Sequence, residues 1–328
     1  MMKNPAIWRG FSSSISFFPF YNACTMPHYD LCLAWNWEYD RDFVHMLESA
    51  CVRVGLSVFS VTEENLDSTL AGLASGDISF ASFFDRASES DHRFQPLVDR
   101  SRLSSVFRIN PQELTVWSQD KATMHLEFIS RRLDTPYTIL LSSCQERPDL
   151  TQLDLSPLGG RFAIKPASLG GGEGVVLEAT SQEQVSFVRK QYPHEKYLLQ
   201  AHVIPRMLEG RPAWFRVLVC DGAVYPCWWD QHTHVYTRVT GEDRSRFGLR
   251  GLYEVARRIA LICRLHLFST EIALTVEGCF TAVDYVNDPV DLRLQSKAAD
   301  GVPDAWVENI AGRLVRLAER HISRLSHS

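Results

Sequence analysis

The sequence predicts a mixed chain: an open α/β unit in front, then two α+β units built on antiparallel strands. Three observations carry this reading. Residues 30–84 alternate short apolar runs with helically spaced apolar residues, as strand–helix–strand units do. The later chain instead holds two hairpin signals, Asp221-Gly222 and Glu277-Gly278. Apolar residues make up 45% of 328 positions, enough for more than one core. The expected boundaries are a tail at 1–29, the α/β unit at 30–109, and α+β units at 110–200 and 201–328.

In the first unit, Leu31–Trp35 is an apolar strand, and Phe43, Val44, Leu47, Cys51 and Val54 mark a helix that Gly55 closes. Leu56–Val61 reads as a strand, Asn65–Gly76 as a helix and Ile78–Phe84 as a third strand. Asn110-Pro111-Gln112-Glu113 carries three helix-start signals with Asn110 as the cap. An apolar stripe through Ala122, Leu126, Ile129 and Leu133 prolongs that helix to Asp134-Thr135-Pro136, with Ser118 as a point of continuation or restart. Phe162–Lys165 and Val175–Leu177 are strands around a glycine-rich loop, Ser181-Gln182-Glu183-Gln184 opens a helix by a capping box, and Tyr197–Gln200 is extended. Phe215–Val219 pairs with Val224–Trp228, a helix carries Leu252, Val255, Ile259 and Ile262, and Glu271–Val276 pairs with Cys279–Val283. An amphipathic helix over Trp306–Leu325 ends the pattern.

The 34 Lys and Arg against 39 Asp and Glu leave a net charge of −5 with no basic block, which argues against nucleic acid and anionic membranes as partners. No stretch is long and apolar enough to span a bilayer. Eight cysteines without a Cys-x-x-Cys pair read as reduced thiols in a cytoplasmic protein. Residues 10–29 lack charge and follow Lys3 and Arg9, as in a signal peptide, yet Ser16 and Pro19 break the apolar part and Tyr21-Asn22-Ala23 is a poor cleavage site. A loose tail, or a true start at Met26, accounts for them.

Four glycines within Gly170–Gly174 are the first candidate for chemistry, because such a cluster lets backbone N–H groups approach an anion; a ligand-free flexible turn is the plain alternative. The loop fits neither Gly-x-x-x-x-Gly-Lys-Ser/Thr nor the dinucleotide fingerprint, and a strand follows where both motifs open a helix. It is therefore expected to be a lid between antiparallel strands, with Lys165 at its root beside a phosphate. Glu271, Asp284 and Asn287 form an acidic group on the late hairpin, costly to bury without a cation and suited to Mg²⁺, with rim carboxylates facing water as the plain alternative. Cys227, His232 and His234 are an incomplete zinc set lacking a fourth ligand. Arg293 and Lys297 either anchor an anionic substrate group or solvate a loop.

In this order, Lys121 on a helix, Phe162-Ala163-Ile164-Lys165, the glycine lid, Leu198-Leu199-Gln200-Ala201-His202-Val203, Arg216, and then Glu271, Asp284 and Asn287, the chain resembles the ATP-grasp superfamily over residues 110–325. The resemblance implies a leading α/β domain of the kind that precedes an ATP-grasp module. It implies that Lys121 and Lys165 contact nucleotide phosphates under Ser168, Gly170, Gly171 and Gly172, that Gln200 and the backbone near Val203 hold adenine, and that Glu271, Asp284 and Asn287 hold one or two Mg²⁺ ions. The sequence departs from the family twice. Asp284 and Asn287 stand three apart instead of following Glu-x-Asn, and Trp214 replaces the acidic residue that binds ribose, for which Glu209 is the substitute.

The implied chemistry is an ATP- and Mg-dependent carboxylate–amine ligase working through an acylphosphate, with Arg216 and Lys165 steadying the transferred phosphoryl group. Its partners would be a small-molecule or peptide carboxylate and an amine, with a homodimer compatible. The alternatives are a small-molecule kinase on the same scaffold and a nucleotide-binding protein without turnover. Substrate selection is expected in the loops at 35–41, 228–240 and 288–300.

Overall fold

A computed structural model describes residues 27–325, so the readings of the amino-terminal segment up to Met26 lie outside the described residues. In chain order the elements are β1 His28–Trp35, α1 Arg41–Val54, β2 Val58–Val61, α2 Leu66–Ser75, β3 Ser79–Arg86, α3 Gln95–Arg102, β4 Phe107–Ile109, α4 Gln112–Gln119 and α5 Lys121–Ser130. Then follow β5 Thr138–Leu141, β6 Phe162–Pro166, β7 Val176–Ala179, α6 Gln182–Gln191, β8 Tyr197–Ala201, β9 Met207–Leu208 and β10 Arg211–Pro212. The last are β11 Trp214–Cys220, β12 Ala223–Trp229, β13 Tyr236–Arg238, α7 Gly241–Arg246, α8 Arg250–Cys263, β14 Leu267–Leu274, β15 Phe280–Asn287 and α9 Asp304–Leu325.

The expected fold class holds. The leading sheet is parallel in the order β2-β1-β3-β4, and two larger antiparallel sheets follow, β5-β8-β6-β7 and β13-β12-β11-β14-β15, with β9 and β10 as a separate two-stranded hairpin. Residues Leu31–Ala34 of β1 are all fully buried because helices cover both faces of a parallel sheet. One face meets α2 and α3, while the other shares a core with α1, α9 and the inner residues Leu218, Cys220, Tyr225 and Cys227 of β11 and β12. The opposite face of that large antiparallel sheet is covered by α5 and α8. The smaller sheet has its own core under α6, built on Phe162, Ile164, Val185, Val188 and Leu199.

Two local expectations are corrected. Asn110 is no helix cap: it sits at φ 52°, Pro111 takes the cap position, and α4 begins at Gln112. Its amide is used elsewhere, Oδ1 accepting from the backbone N–H groups of His266 (2.8 Å) and Leu267 (3.0 Å) and Nδ2 donating to the Asp288 carboxylate (2.9 Å). The restart allowed at Ser118 occurs two residues later, at Asp120, whose extended backbone and side chain (accepting from Thr123 N–H at 2.9 Å) cap a new helix beginning at Lys121; that helix ends at Ser130, short of the expected Asp134. At α6 half of the capping box forms: Ser181 accepts from Gln184 N–H, but Gln184 Oε1 takes the N–H of Thr180.

Candidate functional site

The site grows from strand alternation on the large sheet. Residues two apart share a face, so Trp214, Arg216, Leu218 and Cys220 line one side of β11. Its lower end packs on α9, and its upper end carries Trp214 and Arg216. Arg216 stands directly opposite Glu271 on β14, and Glu271 directly opposite Asp284 on β15. Three strands thus present one row of charge, Arg216–Glu271–Asp284. Asn287 joins it because the pairing of β15 slips between Ser269 and Glu271, which puts one extra residue into β15. The bulge brings positions three apart onto one face, with Asn287 Nδ2 donating to Asp284 Oδ2 at 2.9 Å. The departure from Glu-x-Asn is therefore absorbed by backbone geometry.

Each member of the row has a defined partner. Glu271 accepts from Arg216 Nη1 at 2.8 Å and from Trp214 Nε1 at 3.0 Å; Arg216 Nη2 also reaches Ser269 Oγ at 3.3 Å, and its guanidinium lies over the Trp229 ring at 5.1 Å. Burial pushes the Glu271 carboxyl up and Arg216 opposes it, while the neighbouring Asp284 adds to the rise. Burial also works against ionisation of Asp284, but Lys165, Lys121 and Arg216 outweigh it and hold its carboxyl below the ordinary range. Two carboxylates side by side, one destabilised by burial and by the other, form an oxygen-rich pair whose repulsion a divalent cation relieves, and Asn287 adds a third oxygen donor. The residues present fit Mg²⁺ on that ground. Among the described residues no group of three His, Cys, Asp or Glu could hold a metal, so the Cys227, His232 and His234 zinc reading is discarded.

The smaller sheet hangs over this row. Lys165 on β6 donates to the Val283 carbonyl at 3.3 Å, where β15 slips a second time, and burial holds its ammonium below the usual lysine value against the pull of Asp284 and Glu271. Lys121, first in α5, donates to the Leu169 carbonyl at 2.7 Å, and its N–H is bonded to Ala167. Both lysines therefore sit at the root of the glycine loop. Gly171, Gly172 and Gly174 take φ of 59°, 79° and 67°, the left-handed region that favours glycine. Gly170 to Gly172 are exposed, and Ser168 is exposed with its N–H committed to Glu195 Oε2 at 3.0 Å.

The remaining expected residues divide. Gln200 on β8 is buried; its Nε2 donates to Tyr285 Oη (2.8 Å) and Thr138 Oγ1 (3.2 Å), while its Oε1 is buried without a partner. That orphaned acceptor suits an exocyclic amine such as that of adenine. Val203 is half-buried in the segment after β8. Glu209 is exposed at the tip of the β9–β10 hairpin and ion-paired with Arg246 of α7, not with any member of the row. Arg293 is neutralised by Asp291 (2.7 Å) and Asp300 (2.9 Å), and Lys297 by Asp42 (2.6 Å), which removes both as free anion anchors. The sequence reading missed the support around these groups: Trp214 and Ser269 beside Arg216, and Tyr285, Thr138 and His125 around Gln200, with His125 Nδ1 at 2.7 Å from Tyr285 Oη. Of these, only Trp214 carried a signal, its position two before Arg216.

No family model and no curated protein matches this chain. Solved structures do match along nearly their whole length. An ATP-grasp protein with a RimK domain from Sphaerobacter thermophilus is 17% identical, with a TM-score of 0.60 over 87% of this chain and 98% of that one. The D-alanine–D-alanine ligase of Bacillus anthracis, complexed with ATP, is 11% identical, with a TM-score of 0.59 over 88% and 98%. A D-cycloserine synthetase is 15% identical, with a TM-score of 0.58 over 89% and 99%.

Proposed function

We propose that this chain, which has the ATP-grasp fold, is an ATP- and Mg-dependent ligase that joins a carboxylate to an amine through an acylphosphate. The observation that carries the reading is the row Arg216–Glu271–Asp284–Asn287 facing Lys165 and Lys121 at the root of a glycine loop. It brings together cations, oxygen donors and a glycine-rich loop, which is what phosphoryl transfer requires. Lys121 and Lys165 bind the phosphates, and the loop covers them and excludes water. Arg216, lying over the Trp229 ring and anchored by Glu271, steadies charge on the phosphoryl group in transit to the carboxylate. Asp284, Asn287 and Glu271 hold Mg²⁺, which when bound neutralises phosphate charge. A carboxylate oxygen takes the terminal phosphoryl group as its bond to ADP breaks; the amine then attacks the acyl carbon, the C–N bond forms, the C–O bond breaks with its electron pair leaving on phosphate, and the amine's proton passes to solvent. All seven cysteines among the described residues are free, which supports a cytoplasmic setting.

Calorimetric titration of Mg·ATP into the wild type and Lys165→Ala, with EDTA as control, tests the nucleotide site. Metal-dependent binding that the substitution abolishes is expected; no binding to folded wild type overturns the reading. Hydroxylamine trapping then separates a ligase, which yields a hydroxamate and free phosphate, from a kinase, which releases none.

A further inference from the structure

The outer side of α1 carries a charge pattern that nothing in this chain uses. Its inner side is spent: Phe43, Val44, Leu47, Ala50 and Cys51 are buried in the core shared with α9. The opposite side, His45, Glu48, Ser49, Val52 and Arg53, lines a shallow open groove, in which Val52 is 74% exposed. Glu48 accepts from the Ser60 hydroxyl of β2 at 2.7 Å, but neither Glu48 nor Arg53 forms an ion pair among the described residues. Asp42, earlier on the same helix, does find a cation, in Lys297.

The spacing of these two charges says what would pair them. His45, Ser49 and Val52 follow one another at four and three residues, the spacing of a helix–helix seam, with Glu48 and Arg53 on its two flanks. When two such helices lie parallel about a two-fold axis, the residue just before Ser49 on one faces the residue just after Val52 on the other. Glu48 of each copy then meets Arg53 of its partner, and symmetry makes the pair twice. Antiparallel helices would set each flank against its own equivalent and lose both pairs. Ser49 is small, so the two helix axes can approach, and the exposed Val52 side chains meet across the axis.

We propose that this face of α1 is a two-fold contact with a second copy of this chain, the two helices running parallel. The contact uses no residue of the charged row and is independent of the ligase reading. With 14 residues α1 is about 21 Å long. A seam of that length buries less than the roughly 1,200–2,000 Å² of stable complexes, so a weak dimer with Kd in the micromolar range is expected.

The test is sedimentation equilibrium of the full chain from about 1 to about 300 µM, a range that brackets such a Kd. The mass is expected to rise from 37.3 kDa toward twice that value. Glu48→Arg and Arg53→Glu, each alone, are expected to weaken association roughly 10-fold or more, since each turns two attractions into two repulsions. Mixed in equal amounts, the two variants are expected to associate again, because each complements the other. Val52→Cys treated with diamide is expected to give a covalent dimer beyond any that the exposed Cys279 gives in the wild type, because a parallel seam sets residue 52 beside its own copy. A monomer at every concentration overturns the proposal. So does a dimer that the two reversals leave intact, since its contact lies elsewhere, and so does one that Val52→Cys fails to cross-link, since its helices are not parallel. Recovery in the mixture separates a lost contact from a lost fold, and the wild-type mass decides even if a variant fails to fold.

Discussion

Arg216 and Glu271 show how one side chain's burial becomes another's function. Their side chains are 21% and 13% exposed, so neither charge is well hydrated alone, and Asp284 stands on the far side of Glu271. Arg216→Ala should therefore destabilise the chain by about 3 kcal/mol, the low end for breaking a buried ion pair. Combining Arg216→Met with Glu271→Gln should recover most of that loss. Urea denaturation of the three proteins checks this, and a cost below about 1 kcal/mol for the single variant would sink it. His125 makes a second prediction. Burial holds its imidazole below the usual histidine value, so as pH falls the unfolded chain binds the proton first. The stability that neutral His125 contributes is thus present above about pH 6.5 and is lost as pH falls below it. The wild type should lose more melting temperature between about pH 6.5 and 5 than His125→Asn, whose amide can still meet Tyr285.

At the scale of the element, the glycine loop separates conformation from contact. Gly174 has φ 67°, and a Cβ there would lie 2.9 Å from both Pro166 Cγ and Tyr192 Cε2, whereas Gly170 has ordinary φ and open space. Gly174→Ala should cost about 2 kcal/mol or more, and Gly170→Ala almost nothing, by thermal denaturation. If Gly170→Ala nonetheless weakens Mg·ATP, the close approach of a ligand is the cause. Elements with a local chemical signature could be read before the structure: Asp221-Gly222 turns β11 into β12 with both residues at positive φ, and Gly55 closes α1 at φ 76°. Elements decided by distant partners could not. Asn110 looks like a cap until His266, Leu267 and Asp288 claim its amide. The α4–α5 break was signalled only loosely, by Ser118, since no Gly or Pro fixes it at Asp120, and α3, rich in charge, has no marked stripe. The bulge in β15 was equally hidden, since strict alternation assigns Asp284 and Asn287 to opposite faces. In the site, the residue types and their order were legible, while the partners that hold them in place were not.

The whole molecule divides by its cores more than by chain order. The first parallel sheet and the last antiparallel sheet share one core through α1 and α9, and three polar ties reinforce it: Arg86 to the Val290 carbonyl, Asn110 to β14 and Asp288, and Lys297 to Asp42. The sheet bearing the glycine loop keeps its own core under α6 and meets the rest mainly through Ala167 and Leu198 against α5. Few apolar contacts hold it, so local opening should concentrate there. Hydrogen exchange of the free protein is expected to be faster in β5–β8 than in β1, α1 and α9. Added Mg·ATP should slow exchange in the loop at 168–175 and in β15 around 282–287, the two sides that Lys165 already bridges, and leave α1 and α9 unchanged. Equal slowing of α1 and α9 would mean that the nucleotide tightens a single body, and the separation by cores would then have no consequence for ligand binding.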